Sequence, residues 1–276
     1  MGAVVQSHNI KAQSLWNSPG GRYDLISRSI ADAIEHAVER VDPKPGERVL
    51  DLATGTGWGS RVIAQRFPAV RVTGADIADE MLAYARAAAT TQQLAVEYVH
   101  ADAEKLPFAD GSFDVVVSTF GVMFVANPEI AAAEIKRVLK PGGRLALATW
   151  KPDGNLFHMF MEMKKFMSAP VPAPPSPPPS PFAWGARARL AELFGDAFDL
   201  GFEDGTNWFR YASGEHAWRL WVDHYGPMKT LAASLDDARR NELERAIAQW
   251  HETFASELGY AMPRTYLVTR GVRKAL

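Results

Sequence analysis

Val49-Leu-Asp-Leu-Ala-Thr-Gly-Thr-Gly57 reads as a buried strand that breaks into a tight glycine turn and opens a helix. Val49, Leu50 and Leu52 supply the apolar run, while Gly55 and Gly57 let the chain turn sharply and a ligand approach bare backbone. Residues 58–67 follow with helical spacing, so their free N–H groups and the positive end of the helix dipole face whatever the turn holds. The alternative is a purely structural strand-to-helix turn. The spacing departs from the dinucleotide fingerprint: counted from Gly55, the third glycine falls one place early, at Gly59, and Ser60 takes its position. The turn therefore calls for a different ligand or none.

Working outward, Ile26, Ile30, Ala33, Ile34, Ala37, Val38 and Val41 recur at helical spacing over residues 23–41, and Pro43 and Pro45 end that helix. Strands and helices then alternate: strand 48–52, helix 58–67, strand 70–75, helix 79–89, strand 96–100, strand 113–118, helix 128–139 and strand 144–150. The crossover at 101–112 is irregular, with room for a short helical turn. Such alternation predicts a parallel sheet covered on both faces. Two more strands are predicted at 202–211 and 265–272, with two helices between them. Trp218, Trp221, Val222 and Tyr225 stripe the first; Ser234 caps the second, striped by Leu243, Ala246, Ile247, Trp250, Phe254 and Leu258. Residues 168–181 hold eight of the 18 prolines and read as a stiff extended loop.

The chain has 276 residues, of which 47% are hydrophobic, enough for a packed core. A net charge of −2 leaves no electrostatic footprint for nucleic acid. With no cysteine, disulfides, thiolate metal sites and cysteine nucleophiles are excluded. The first residues lack the pattern of a signal peptide, Gln6 stands where a myristoylation motif needs Ser or Thr, and no apolar run is long enough to span a bilayer. The expectation is a cytoplasmic protein.

Two further strand ends narrow the ligand. Val72-Thr-Gly-Ala-Asp-Ile77 puts Asp76 where a carboxylate can accept both hydroxyls of a ribose, and Val99-His-Ala-Asp102 puts a second acid at the next strand end. With Asp110-Gly-Ser-Phe-Asp-Val-Val-Val117 and Lys140-Pro-Gly-Gly143, these segments resemble the class I S-adenosylmethionine-dependent methyltransferases, in the branch of the ubiquinone and menaquinone C-methyltransferases. The resemblance covers about residues 45–151. It implies a doubly wound α/β fold with a seven-stranded, mostly parallel sheet, an antiparallel last strand and a helical lid. It also implies one cofactor, S-adenosylmethionine, on which the turn from Ala53 through Thr54 and Gly55 to Gly57 contacts the methionine portion and Asp76 the ribose. Ile77 and Met81 would then flank the adenine, Asp102 take its amino group with Ala103 nearby, and Thr119 and Phe120 flank the sulfonium. One departure is Ala53, where the family's turn begins with glycine. Asp51 belongs either to the cofactor site or to the turn as an acceptor of its amides.

The likeness divides the chain into an N-terminal helical cover (1–44), a cofactor-binding core (45–151), a connecting helix with the Pro-rich loop (152–201), and the last two strands (202–276) with a lid inserted at 212–263. Trp16 and Tyr23 are candidates to fold over the cofactor, or merely to pin the arm to the core. In-line methyl transfer needs a nucleophile opposite the departing sulfur in a water-poor site, and positioning can supply much of the rate. Six of the eight tryptophans lie in the covering segments, which favours a pocket for a small flat or apolar acceptor over a protein or nucleic-acid groove. Its candidate lining is Phe124, Trp150, His158, Trp218, Trp221, Tyr225 and Met228, although such a tryptophan stripe is also what an ordinary core looks like. Among His158, His216, His224 and His251, His224 is the first candidate for a base. No metal-ligand spacing stands out, and nothing in the sequence sets the oligomeric state. The competing readings are a cofactor-binding enzyme of other chemistry and a non-catalytic regulatory module.

Overall fold

The computed structural model describes residues 5–168 and 179–275. An N-terminal arm carries α1 (Ile10–Asn17), α2 (Asp24–Arg28) and α3 (Ala31–Val41). The alternating body follows: β1 (Arg48–Leu52), α4 (Trp58–Arg66), β2 (Arg71–Asp76), α5 (Asp79–Thr91), β3 (Val96–His100), β4 (Phe113–Thr119), α6 (Pro128–Val138) and β5 (Leu139–Trp150). Beyond it come α7 (Asn155–Lys164), α8 (Arg187–Phe194), β6 (Phe198–Tyr211), α9 (Gly214–His224), α10 (Gly226–Ala233), α11 (Asp237–Glu252), β7 (Ala255–Ser256) and β8 (Gly259–Arg273).

The strands join in the order β3-β2-β1-β4-β5-β8-β6. The first five are mutually parallel, and β8 runs antiparallel between β5 and β6. This is the expected mostly parallel sheet, with a two-residue β7 paired to the start of β8 as an eighth strand. Chain order reverses between β1 and β4, so the sheet opens a crevice at their carboxyl ends. Ala33, Ile34, Ala37, Val38 and Val41 of α3 are buried in the same core as the sheet residues Val115, Val116, Leu145 and Leu147. No helix among the described residues is long and apolar enough to cross a membrane.

Local chemistry revised four boundaries. The helix expected over 23–41 breaks at Ser29 and Ile30, where Ser29 Oγ donates to the Ile26 carbonyl and Ile30 leaves helical geometry (φ −120°, ψ 18°). The Ser29 carbonyl, freed from the helix, accepts instead from Arg264 and Asn207. The inserted segment holds three helices rather than two: Ser234 ends α10 with its hydroxyl on the Leu231 carbonyl, and Asp236 caps α11 by accepting from Arg239 N at 2.8 Å. α11 stops at Glu252, so Leu258 falls outside its stripe and is fully exposed. The crossover after β3 forms a turn closed by a bridge between Asp102 and Lys105, with no helix. The Pro-rich reading at 168–181 lies mostly outside the described residues.

Candidate active site

The turn after β1 needs left-handed backbone at three of its residues: Ala53 (φ 55°), Gly55 (φ 57°) and Gly57 (φ 76°). Only glycine takes this without steric cost. Gly55 N donates to Asp76 Oδ2 at 2.7 Å, and Ala78 N donates to Oδ1 at 2.8 Å, so the carboxylate at the end of β2 clamps the turn. Burial pushes the Asp76 carboxyl up to about 6, against the opposing pull of those amides. Asp51 lies deeper, accepting from Thr54 Oγ1 at 2.5 Å and Ser60 Oγ at 2.7 Å, which makes it an internal fastener of the turn.

A cavity of about 910 Å³, its mouth included, opens over this turn. Of the predicted cofactor residues, Ala53, Thr54, Gly55, Asp76, Ile77, Met81, Asp102, Ala103, Thr119, Phe120, Trp16 and Tyr23 all line it. Asp51 and Gly57 do not. A Cβ on Gly57 would sit 2.4 Å from Tyr98 Oη and 2.8 Å from Ala85 Cβ, so this glycine answers to packing against β3 and α5, not to ligand approach. Asp102 is 2% exposed, and its carboxylate already accepts from Gln6 N, Asn9 Nδ2 and Glu104 N. The position read as an adenine-amino acceptor is therefore occupied by the arm, through Asn9, a cavity-lining residue that the sequence reading missed.

Trp16 joins the arm to what lies across the crevice, edge-on to Tyr23 (5.9 Å), Phe124 (4.9 Å) and Tyr225 (6.0 Å). Behind that cluster is a second cavity of about 540 Å³. It shares Tyr23, Ile30, Phe120 and Phe124 with the first. Phe120, itself left-handed (φ 59°), stacks on Trp150 at 3.8 Å and so forms part of the partition. Phe124, Trp150, Trp221 and Tyr225 line this second space.

The other proposed pocket residues do not line it. His158 is exposed on α7, whereas Trp218 and Met228 are buried in the core. His224 lines neither cavity; its Nδ1 lies 2.8 Å from the Arg22 carbonyl, so in this structure it fastens the arm to α9. His251 is fully buried, held neutral with its pKa lowered to about 4 by burial, and its Nε2 accepts from Trp221 Nε1 at 3.0 Å. It orients a pocket wall without reaching the pocket. Arg264, absent from the sequence reading, is among the described residues the one charged side chain lining the second cavity.

The first cavity fits an adenosyl sulfonium with an amino-acid tail. Asp76 retains acceptor capacity for ribose hydroxyls, bare backbone at Gly55 allows close approach, and Trp58 Nε1, buried at the start of α4 and without a protein partner, offers a free donor. Among the described residues no three His, Cys, Asp or Glu side chains gather to hold a metal ion.

Comparison with known proteins agrees with this geometry. Residues 50–147 match the family model of a methyltransferase domain. A demethylmenaquinone methyltransferase of Thermus thermophilus is 43% identical over 136 residues, which are 48% of this chain and 62% of that protein. The chain thus aligns with somewhat less than two thirds of that relative's length. An uncharacterized protein of Mycobacterium bovis is 31% identical over 218 residues, 77% of each chain. The solved structure of the YcgJ protein from Bacillus subtilis superimposes with a TM-score of 0.60 at 18% identity, covering 89% of this chain and 99% of that one. Over residues 50–147 the chain carries a methyltransferase domain, and it is similar to S-adenosylmethionine-dependent methyltransferases of class I, whose cofactor the first cavity fits.

Proposed function

We propose that the protein transfers a methyl group from S-adenosylmethionine to a small aromatic or apolar molecule seated in the second cavity. The observation that carries this reading is the partition of Tyr23, Ile30, Phe120 and Phe124, which walls both cavities at once. These shared residues mark where the two spaces adjoin, and transfer requires the acceptor to pass between them into direct contact with the cofactor methyl. The cofactor supplies an electrophilic methyl on a sulfonium; an acceptor lone pair forms the new bond as the sulfur–carbon bond breaks, leaving a neutral thioether. The protein's part is to orient the acceptor between aromatic faces and to exclude water. The arm at 1–44 and the helices inserted at 212–263 act as covers over the core at 45–151, with Trp16 and Tyr225 meeting across the seam.

Flat rings suit the aromatic walls, and the name of the Thermus relative points to a quinol-type ring as one such acceptor. Methyl-labelled S-adenosylmethionine, incubated with the protein and a panel of phenols, thiols, amines and quinols, tests the proposal. Label should appear in an extractable small molecule. Tight cofactor binding with no labelled product, from the panel or from the small-molecule fraction of a cell extract, would favour a regulatory module.

A further inference from the structure

Arg264 is out of character with its surroundings. It is 1% exposed, yet it lines a cavity whose other walls are Ile, Leu, Met, Phe, Trp and Tyr. Its guanidinium lies 5.7 Å from the Trp150 ring and 5.0 Å from the Phe209 ring, wedged between aromatic faces. Three hydrogen bonds hold it: Nη1 to Ser29 Oγ at 3.2 Å, Nη2 to the Ser29 carbonyl at 2.5 Å, and Nη2 to Asn207 Oδ1. A guanidinium has about five donors. Among the described residues the Nε proton has no partner, and only one of the two Nη1 protons is used.

No carboxylate among the described residues pairs with this cation. Asp32 comes nearest in effect, but the Asn207 amide stands between them, donating to Asp32 Oδ1 and accepting from Arg264. Burial draws the Arg264 pKa down to about 9, which still leaves it charged near neutrality. A buried, unpaired charge is costly, and it is kept where an opposite charge is to arrive. The lining adds a second observation. None of its side chains is Asp, Glu, His or Lys, so a neutral acceptor entering the cavity would find no group there to take its proton.

We infer that the acceptor enters as an anion, a flat ring bearing an ionised oxygen of carboxylate or phenolate type, and that Arg264 is the specificity-determining residue that binds this oxygen. Its unused Nη1–H offers one charge-assisted hydrogen bond to that oxygen, while the Nε–H lies on the other edge of the guanidinium, beside an Nη2 whose protons are taken. The aromatic walls then read the ring and Arg264 reads the charge. Where the ionised oxygen is itself the methyl acceptor the step balances without a base: the oxygen–carbon bond forms as the sulfur–carbon bond breaks, the anion becomes a neutral ether or ester, and the sulfonium becomes a neutral thioether.

This inference rests on the proposed function, so the experiment begins with the cofactor product. The protein is saturated with S-adenosylhomocysteine and titrated calorimetrically near pH 7.5 with benzoate, 2-naphthoate and anthracene-2-carboxylate, each beside its neutral carboxamide. At least one carboxylate should bind about tenfold or more tightly than its amide, the size of effect a charge-assisted hydrogen bond gives. Arg264→Gln should bring the pair within about twofold while S-adenosylhomocysteine affinity stays within twofold. Two results overturn the inference: no carboxylate preferred by the unaltered protein, or a preference that survives Arg264→Gln. The first comparison needs no variant and stands even if Arg264→Gln fails to fold. Failure to bind S-adenosylhomocysteine at all would instead strike the proposed function.

Discussion

The two cavities share a wall but are built from different materials. The cofactor cavity is shaped by backbone: a turn with three left-handed residues, amides clamped by Asp76, and glycines whose missing side chains leave room. The second cavity is shaped by side chains that meet from the arm, the segment after β4, β5, α7, α9 and β8. The turn at the base of the first is made by contacts local in sequence, although the arm closes it from a distance, whereas contacts distant in sequence make the second throughout. Substitutions should therefore separate them: in the backbone-built cavity they alter ligand binding more than stability, and in the side-chain-built cavity they alter stability first.

The largest effect is expected at Trp221. It is 2% exposed, packs 4.9 Å from Phe209, and donates to His251, while also lining the second cavity. Trp221→Ala should cost about 3–5 kcal/mol of stability, the usual penalty for emptying a large aromatic site. Urea unfolding measures this, and cofactor affinity of the folded fraction should stay within about twofold. A loss under about 1 kcal/mol would mean that the pocket wall is not part of the core, and the contrast between the cavities would fail.

Next comes Asp76→Ala, in the other cavity. Removing a charged acceptor of two ribose hydroxyls should weaken S-adenosylmethionine binding by about 1.5–3 kcal/mol, roughly ten- to a hundredfold. Melting should move less than affinity does, because a buried carboxylate is relieved of its desolvation. Unchanged binding by calorimetry would remove the cofactor from this end of β2.

These two sites were not equally legible in the sequence. Asp76 and the glycine turn announce themselves because strand, turn and acid are read within a few residues of one another. Neighbours in sequence mislead once the question is which way a side chain faces: His224 stands beside Tyr225, yet only Tyr225 reaches the cavity. Arg264 falls just outside the strand expected at 265–272, whose start lies six residues beyond the structural start at Gly259. Extending it back puts Met262, Arg264 and Tyr266 on one buried face by the two-residue period, an arginine in an apolar row. That signal was available. The break after Arg28 was not, since it depends on donors arriving from Asn207 and Arg264, far along the chain.

Acid separates the regions more finely. Burial holds His251 down at about 4, below its ordinary 6.5, so the folded state binds fewer protons than the unfolded state between these values. Its contribution is intact above 6.5 and falls as pH drops toward 4, by at most about 1.4 kcal/mol per unit. Asp76 runs the other way in unfolding: its carboxyl is raised from 3.8 to about 6, so its contribution to stability falls as pH rises through that window. Binding responds differently, because ribose hydroxyls prefer the ionised carboxylate. S-adenosylmethionine affinity should therefore decline below about pH 6 in the unaltered protein and stay flat there in Asp76→Asn. The same variant, having lost the opposing titration, should show a steeper acid loss of stability. A matching pH dependence of affinity in both proteins would assign the titration elsewhere.

The smallest effect belongs to Ala53, the one position where the turn departs from its family. Its φ of 55° suits glycine better, since a Cβ in left-handed backbone costs roughly 1–2 kcal/mol. Glycine relieves this strain but gives the unfolded chain more freedom, which takes back part of the gain. The methyl also has a neighbour, since a Cβ built on Gly121 would come within 2.4 Å of Ala53 Cβ; the alanine has thus been accommodated by a glycine across the crevice. Removing it leaves a small gap beside Gly121, a further deduction. Ala53→Gly should therefore raise stability by only about 0.5–1 kcal/mol, seen as a modest upward shift in Tm, with cofactor affinity changed far less than by Asp76→Ala. A fall in Tm would show that the methyl's packing against the Gly121 backbone outweighs the strain, and that even in the backbone-built cavity one side chain carries structural weight.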